Sequence, residues 1–252
     1  MRYAILSDIH SNLEALNAVL DHLASQRIDR YLCLGDMVGY GADPEACLSR
    51  LQACEAQGVC GNHDWACAGK FDLQWFHDVA RQAILWTRDR LSVTDLDWLR
   101  GLPLVRAEDS VTWVHGTLRH PERFDYLVEL AQGVDTAKSC QTPFCLVGHT
   151  HVPIVLEYDL RHQRVSRLLT LPSELATVNV VIDDPGRFRY VMNPGSVGQP
   201  RDGDPRASVG ILDTQAGTFS VHRLGYEIAV AQDKIRRANL PELLAERLAL
   251  GR

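Results

Sequence analysis

The chain has 252 residues and a formal net charge of −6, with 46% hydrophobic and 23% charged residues. This length can bury a sizeable core, and the acidic balance argues against an extended nucleic-acid surface, because phosphate backbones are bound mainly by Lys and Arg. No run approaches the roughly 18 apolar residues of a membrane-spanning helix, and Tyr3–Leu6 is too short for the apolar part of a secretory signal. These features disfavour a membrane protein.

The sequence has seven cysteines, an odd number, and no CxxC motif. They are Cys33, Cys47, Cys54, Cys60, Cys67, Cys140 and Cys145. Several of the cysteines lie in apolar stretches. Buried thiols in a reducing compartment are the better interpretation, so we expect a cytoplasmic protein. A structural zinc cluster built from cysteine is not favoured, because the short paired spacings are missing.

The first 62 residues alternate between predicted strands and helices. The strands are Arg2–Ser7, Tyr31–Leu34 and Val59–Cys60. A capping box at Ser11–Glu14 begins the first helix, and Asp43-Pro44 begins the second. A β-α-β-α-β order predicts a largely parallel sheet with functional loops at the carboxyl ends of its strands.

Residues 72–100 are helical by pattern, with a capping signal at Ser92–Asp95. Two short apolar strands follow, Val111–Val114 and Phe144–Val147, and each ends at a histidine. Beyond residue 150 six strand candidates follow without a long helix, which predicts a second, mostly antiparallel sheet. They are Ile154–Tyr158, Val165–Thr170, Thr177–Ile182, Arg189–Met192, Ser208–Leu212 and Thr218–Leu224. The tail from Tyr226 is helical with a break at Pro241, and without a repeat or linker we expect residues 1–252 to form one domain.

Polar residues follow the ends of five predicted strands. They are Asp8, His10, Asp36, Asn62, His63, His115, His149 and His151. Each segment alone has an ordinary explanation, such as an Asx turn at Gly61–Asp64. Together they indicate a site, because a sheet brings successive strand ends to one edge.

The residue types at these strand ends indicate a metal centre. Imidazole, carboxylate and amide oxygen without thiolate suit Mn, Fe, Zn, Ni or Mg, and we favour Mn. Seven ligands are too many for one open catalytic ion but suit two. Two divalent ions, two carboxylates and a bridging hydroxide sum to about +1, which attracts phosphate and stabilises the oxygens of an in-line displacement.

The order of these segments resembles a known family. Asp8-x-His10, Gly35-Asp36, Gly61-Asn-His-Asp64, His115 and Gly148-His-Thr-His151 are similar to the motifs of the calcineurin-like metallophosphoesterases. Asn193-Pro-Gly-Ser-Val197 resembles a turn of the small prokaryotic phosphodiesterase branch, which extends the resemblance to about residue 212. The resemblance implies an α/β fold, a four-layer α/β/β/α sandwich of two mixed sheets with flanking helices.

The resemblance also implies roles for the predicted site residues. One metal would take Asp8, His10 and His151, and the other would take Asn62, His115 and His149. Asp36 would bridge the two ions. His63 would stand over the phosphate, stabilise its charge and help protonate the leaving group.

The second motif departs from that of the protein Ser/Thr phosphatases, which read Gly-Asp-x-Val-Asp-Arg-Gly. Here Gly39 stands where those enzymes keep the Asp that orients the catalytic His, and Tyr40 stands where they keep a phosphate-binding Arg. The candidates for substrate binding are therefore Tyr40 itself, Arg119, and Arg201 beyond the Asn-Pro-Gly-Ser turn. Solvated loop arginines are the competing interpretation.

The leading hypothesis is a metal-dependent phosphoesterase that hydrolyses a small phosphomonoester or phosphodiester by attack of a metal-bridging hydroxide. The first alternative is a dinucleoside polyphosphate hydrolase, in which aromatic residues of 71–86 hold a base, although such residues more often belong to a core. A nuclease is disfavoured by the acidic charge, and a non-catalytic metal-binding scaffold is disfavoured by the complete ligand set. The sequence leaves open the native metal, the substrate and homo-oligomer formation.

Overall fold

The computed structural model describes residues 1–171 and 175–252. Its strands are β1 (Arg2–Leu6), β2 (Arg30–Cys33), β3 (Gln57–Gly58), β4 (Val105–Glu108), β5 (Val111–Val114), β6 (Phe144–Leu146), β7 (Ile154–Asp159), β8 (Arg164–Thr170), β9 (Thr177–Val181), β10 (Phe188–Asn193), β11 (Ala207–Asp213) and β12 (Thr218–Leu224). Its α-helices are α1 (Leu13–Leu23), α2 (Pro44–Ala53), α3 (Asn62–Cys67), α4 (Asp78–Arg88), α5 (Val93–Gly101), α6 (Leu130–Ser139), α7 (Ile228–Arg237) and α8 (Glu242–Glu246). Short 3-10 helices occupy Leu73–Trp75, Pro121–Arg123 and Arg247–Ala249.

The strands form two mixed sheets of six strands each. The first has the order β3-β2-β1-β11-β12-β9 and the second has the order β4-β5-β6-β10-β7-β8. Strands β1, β2 and β3 run parallel, as do β5, β6 and β10, and the remaining neighbours are antiparallel. The predicted α/β fold with two mixed sheets is confirmed.

The prediction that the strands after residue 150 form a second sheet by themselves is wrong. Strands β9, β11 and β12 complete the first sheet, and β7, β8 and β10 complete the second. The parallel strands formed by the first part of the chain leave sheet edges without a partner. Strand β11 fills one of them by pairing antiparallel with β1, which places Leu212 opposite Tyr3. Local sequence patterns do not reveal which edge a later strand will fill.

Two local predictions also need correction, and three elements were missed. The third strand is β3 (Gln57–Gly58): the Val59 N–H still donates to Cys33 O of β2, but the Cys60 N–H donates to Pro103 O outside the sheet. The helical stretch 72–100 is divided into a 3-10 turn, α4 and α5, and the Ser92 side chain caps α5 through a 3.1 Å bond from Asp95 N. Strand β4 and helices α3 and α6 were not predicted.

The core is divided by the two sheets. Tyr3 and Ile5 of β1 point between the sheets, where Trp113 and Tyr190 of the second sheet meet them. The alternate residues, Ala4 among them, face the helical layer of α1, α2 and α7. Helix α6 covers the outer face of the second sheet. Strands such as β1 are thus buried on both faces. The loops that carry the predicted site residues lie at the carboxyl ends of these strands.

None of the helices within the described residues is both long and apolar enough to cross a membrane.

A histidine pair between α1 and β12 is expected to make the free energy of unfolding depend on pH. The rings of His22 (α1) and His222 (β12) lie 4.9 Å apart, and burial, with the positive charges of His22 and Arg2, lowers the pKa of His222 to about 4. An unfolded histidine binds its proton near pH 6.5, so the unfolded state binds more protons between about pH 6.5 and pH 4. Stability should therefore fall as the pH drops through this window.

We expect Tm to decrease by a few degrees more between pH 7 and pH 5 in the natural protein than in His222→Gln, which has no titrating group at this position. Thermal denaturation followed by circular dichroism at several pH values measures this. The control is His120→Gln, which replaces an exposed histidine. We expect this variant to show the same change of Tm with pH as the natural protein. An identical pH profile in His222→Gln would contradict the prediction.

Candidate metal centre and substrate cavity

The predicted metal ligands converge at one end of the two sheets. Asp8 and His10 follow β1, Asp36 follows β2, His115 follows β5, and His149 and His151 follow β6. Asn62 and His63 begin α3, beyond β3. Asp8, His10, Asp36, His63, His115, His149 and His151 are all buried, and two layers of the fold therefore contribute to one cluster.

Five of these residues have a left-handed backbone. The residues with positive φ are Asp8 (53°), His10 (48°), Asp36 (50°), His149 (66°) and His151 (61°). Residues other than glycine rarely adopt this conformation, which costs of order 1–3 kcal/mol each and is concentrated at functional sites. The backbone turns sharply after each strand and thereby points these side chains toward one another.

Backbone carbonyls fix the orientation of three imidazoles. Nδ1 of His115 lies 2.8 Å from Leu34 O, and Nδ1 of His151 lies 2.5 Å from Gln199 O. Nδ1 of His10 lies 3.3 Å from Val38 O. Because a carbonyl oxygen only accepts, each Nδ1 carries a hydrogen, and in the neutral imidazole Nε2 presents a lone pair to the cluster.

The lone pairs of His10 and His151 point at each other. Their Nε2 atoms are 3.2 Å apart, and Asp8 Oδ1 lies 3.2 Å from His151 Nε2. Three acceptors at such distances repel one another unless a cation lies among them. This arrangement fits a divalent metal held by two imidazoles and a carboxylate, a ligand set suited to Mn, Fe, Zn or Ni.

Potential ligand atoms fall into groups whose members lie within 4.8 Å of one another. Asp8, His10 and His151 form one, and Asp36, His115 and His149 form another. A third group joins His10, Asp36 and His63. The first group has the residues of the first predicted half-site, and the second joins the predicted bridging residue Asp36 to His115 and His149.

Each carboxylate uses one oxygen for structure and leaves the other for the cluster. Asp36 Oδ1 accepts from His63 N at 2.9 Å, and its Oδ2 lies 3.3 Å from His115 Nε2 and 3.7 Å from His10 Nε2. This oxygen therefore lies between the two half-sites. Asp8 Oδ2 accepts from Ser7 Oγ at 2.6 Å, which leaves Oδ1 facing His151.

Asn62 presents a third kind of unused ligand atom. Its Oδ1 is buried and has no hydrogen-bond partner among the described residues. A buried amide oxygen without a partner carries a desolvation penalty of about 1–3 kcal/mol, and a metal ion would remove it. Asn62 thus fits the predicted second half-site.

The electrostatics of the cluster favour positive charge at its centre. Burial lowers the pKa of His10, His149 and His151, which keeps these imidazoles neutral and able to act as ligands. At His115 burial acts in the same direction, but the Asp36 carboxylate outweighs it and raises the pKa to about 9. The negative charge that favours an imidazolium here would equally favour a metal ion.

His63 lies beside the cluster in an aromatic cage. Its ring centroid is 4.4 Å from that of Tyr40, 4.9 Å from that of His10 and 5.1 Å from that of Phe76. Its Nδ1 is buried without a hydrogen-bond partner in the described part of the chain, and burial lowers its pKa to about 4. Packing, rather than a carboxylate partner, holds this imidazole.

Gly39 explains why no carboxylate orients His63. Gly39 has φ +91°, and a Cβ added there would lie 2.6 Å from His63 Nδ1. The space that the Asp of the protein phosphatases would need is occupied by the histidine itself. Glycine at position 39, where the protein phosphatases have Asp, therefore allows the His63 ring to pack against the backbone.

We expect Gly39→Ala to lower kcat by displacing the His63 ring, with metal content retained. Gly69→Ala is a matched control, because Gly69 also has a positive φ (+77°) but has nothing within 4 Å of its added Cβ. Both variants lose about 1–2 kcal/mol to backbone strain, so a difference in kcat isolates the contact with His63. Equal activity of the two variants would contradict this prediction.

Asp64 is a positioning residue that the sequence interpretation did not single out. It is buried and accepts hydrogen bonds from Met37 N (2.9 Å), Val38 N (3.2 Å) and Gly61 N (2.9 Å). Burial and the nearby charge of Asp36 raise its pKa to about 7. Asp64 joins the loop of Asp36 to the turn of Asn62, and its place three residues after Gly61 in the Gly-Asn-His-Asp motif was the available signal.

A cavity of about 590 Å³ opens beside the cluster. Its lining includes Asn62, His63 and His149 of the predicted site and the aromatic residues Phe71, Trp75, Phe76, Phe124 and Tyr126. Residues from the 71–86 segment therefore do face the site, and Trp75 is 74% exposed. Tyr126 also stacks on His149, with ring centroids 3.7 Å apart.

Two of the three candidate substrate residues line this cavity. Tyr40 and Arg201 belong to its wall. Arg119 instead lines a neighbouring groove, where its side chain is 65% exposed and Nη1 lies 3.1 Å from Asp135 Oδ2. The geometry therefore matches the solvated-loop interpretation of Arg119, and we assign it no substrate contact.

The two-sheet fold and the His/Asp cluster at its edge define a metallophosphoesterase architecture, and comparison with known proteins agrees. The calcineurin-like phosphoesterase superfamily domain matches residues 1–217, and the chain belongs to this superfamily. It is 39% identical over 253 residues to an uncharacterized protein of Methanocaldococcus jannaschii, with 99% of this chain and 98% of that protein covered.

Two solved structures are similar over the whole chain. A metallophosphoesterase from Sphaerobacter thermophilus is 40% identical, with a TM-score of 0.85 and coverage of 100% of this chain and 99% of that one. A hypothetical protein from Pyrococcus horikoshii OT3 has a TM-score of 0.77 at 19% identity, with 100% and 98% covered. The second likeness shows a shared fold only.

Proposed function

We propose that the protein is a metal-dependent phosphoesterase that hydrolyses a small phosphomonoester or phosphodiester. The observation that carries this proposal is the convergence of unpaired lone pairs at the strand ends, with His10 Nε2, His151 Nε2 and Asp8 Oδ1 facing one another. Membership of the calcineurin-like phosphoesterase superfamily supports the same reaction class. A non-catalytic interaction scaffold would have no need for these converging ligand atoms.

Two divalent ions fit the donor set. Asp8, His10 and His151 would hold one, Asn62, His115 and His149 would hold the other, and Asp36 would contact both. When bound, the ions would supply an activated water as nucleophile and offset the charge of the phosphate. The reaction adds one water: its oxygen bonds to phosphorus, the ester P–O bond breaks, and a proton ends on the leaving oxygen.

His63 is the residue of this chain that would deliver that proton. Burial lowers its pKa to about 4, and the negative charge of a bound phosphate acts in the opposite direction, toward the imidazolium that can donate. Tyr40 stays neutral, since burial raises its pKa to about 12, and it can donate a hydrogen bond to phosphate. Arg201 lines the same cavity and would bind phosphate oxygens as a charged donor.

The cavity wall favours one second candidate, hydrolysis of a nucleotide or dinucleoside polyphosphate. Phe71, Trp75 and Phe76 face the space next to His63, and an exposed Trp75 is available for stacking on a flat ring. Aromatic stacking on a nucleobase is worth about 1–3 kcal/mol per base. A small aryl or nucleoside phosphate fits this wall better than an extended nucleic acid does.

The test begins with protein stripped by a chelator and reloaded separately with Mn²⁺, Fe²⁺, Zn²⁺, Ni²⁺ or Mg²⁺. We expect hydrolysis of bis(p-nitrophenyl) phosphate or p-nitrophenyl phosphate, fastest with Mn²⁺, and little in stripped protein. A screen of mono- and dinucleotides and dinucleoside polyphosphates then compares the two candidates. Inactivity with every metal, or full activity in a His63→Ala/Asp36→Asn double variant, would reject the enzyme proposal.

A further inference from the structure

Two arginines reach the substrate cavity from different parts of the chain. Arg201 lies in the loop between β10 and β11, and Arg247 begins the 3-10 helix Arg247–Ala249. Both line the cavity that also exposes Asn62 and His63. Arg247 lies beyond residues 1–217, so the region that matches the superfamily does not contain it. We call Arg201 and Arg247 the arginine pair.

No Asp or Glu side chain lies within ion-pair distance of either member of the pair among the described residues, and Arg247 Nε contacts only the carbonyl end of Arg252. Arg201 Nη2 donates to Gln199 Oε1 at 3.0 Å, and its Nε is buried without a hydrogen-bond partner in the described chain. Elsewhere in the same cavity charge is balanced internally, since Arg123 Nε lies 3.5 Å from Asp125 Oδ2. No acidic side chain therefore balances the positive charge that the arginine pair presents to the cavity.

The two guanidinium charges also act on each other across the cavity that both residues line. Burial and the charge of Arg201 lower the pKa of Arg247. Like charges that are partly withdrawn from water are unfavourable unless an anion joins them. The arrangement is thus suited to an anion bound between both arginines.

The backbone presets this arrangement before any ligand binds. Gly203 N, two residues after Arg201, donates to Gly251 O at 2.9 Å. Gly251 has φ +62°, and a Cβ there would lie 2.6 Å from Asp204 N, so only glycine allows this approach. Arg247 Nε in turn donates to Arg252 O at 2.5 Å. The end of the described chain is therefore attached directly to the Arg201 loop.

The charge at the site exceeds what a single phosphate can balance. Two divalent ions, Asp8, Asp36, a hydroxide and the arginine pair would sum to about +3. A phosphomonoester dianion offsets about two thirds of this charge, and a neighbouring second phosphate offsets the rest. The position of the pair beside the cluster, and not within it, suits a phosphate adjacent to the scissile one.

We propose that Arg201 and Arg247 form a clamp for a second phosphate, so that the site prefers ligands with two adjoining phosphate groups, such as nucleoside diphosphates and other phosphoanhydrides. This inference rests on the proposed function, because the scissile phosphate is taken to bind at the metal cluster. It identifies Arg247 as a specificity-determining residue for that site.

Calorimetric titration of Mn²⁺-loaded protein with methylenediphosphonate and with methylphosphonate tests the clamp without catalysis. We expect the natural protein to bind the diphosphonate at least tenfold more tightly, and Arg247→Gln to reduce that preference about tenfold or more, as loss of a charge-assisted hydrogen bond predicts. Arg247→Lys should retain part of the preference. Arg237→Gln, which alters an 80% exposed side chain on α7, is the control.

Metal content after each titration shows whether the ions stay bound, and Tm shows whether each variant folds. An unchanged preference in Arg247→Gln, or no preference in the natural protein, overturns the clamp. Failure of the proposed function looks different, because the natural protein would then hydrolyse no phosphoester even if diphosphonate binding depended on Arg247. If the natural protein hydrolyses phosphoesters but shows no preference for the diphosphonate, this inference alone is rejected.

Discussion

Asp36→Asn is expected to lower kcat/KM by about 10³-fold or more, equivalent to about 4 kcal/mol of transition-state stabilisation, and to weaken metal binding. Asp36 Oδ2 lies between the two half-sites, 3.3 Å from His115 Nε2 and 3.7 Å from His10 Nε2. The amide substitution removes the negative charge that both ions would share. Its Oδ1 can still accept from His63 N, so the fold should persist.

Metal stoichiometry by plasma emission spectrometry, steady-state kinetics and thermal denaturation separate these effects. Asp159→Asn is the matched control, because Asp159 is also a buried carboxylate but pairs with Arg187 outside the cluster. We expect that control to lose stability and to keep its metal. Full metal occupancy and natural activity in Asp36→Asn would exclude Asp36 as the shared ligand.

Much of the site could be predicted from the sequence because its residues follow strands with strong local signals. Apolar runs end at Asp8, Asp36 and His115, and the topology of a parallel sheet brings such ends together without any knowledge of side-chain contacts. The run Arg2–Ser7 likewise predicted the first strand from its apolar residues alone. These parts of the fold depend on local pattern and on general rules of chain connection.

Other features depend on contacts between residues distant in sequence. The pairing of β11 with β1 joins residues about 210 positions apart, and nothing in either strand specifies that partner. The place of Arg247 in the cavity depends likewise on the bond between Gly203 and Gly251. Arg119 and Arg201 looked equivalent as loop arginines, and only the structure separates them.

His63→Ala is the second variant with a large expected effect, a decrease in kcat of about 10²–10⁴-fold with metal content unchanged. His63 lines the cavity, it is not one of the residues assigned as metal ligands, and its ring is held by Tyr40 and Phe76. If His63 protonates the leaving oxygen, the loss should be largest for esters with a basic leaving group. A p-nitrophenolate, which leaves without a proton, should depend on it least.

A series of aryl phosphoesters with leaving groups of increasing basicity tests this role. The slope of log kcat against leaving-group pKa should become steeper in His63→Ala, because the barrier then includes departure of an unprotonated oxygen. His77→Asn is the control: it removes another imidazole from the same cavity, and Asn can still cap α4 in place of His77 Nδ1. Parallel slopes in His63→Ala and the natural protein would restrict His63 to charge stabilisation, since proton donation and electrostatic stabilisation differ in this dependence.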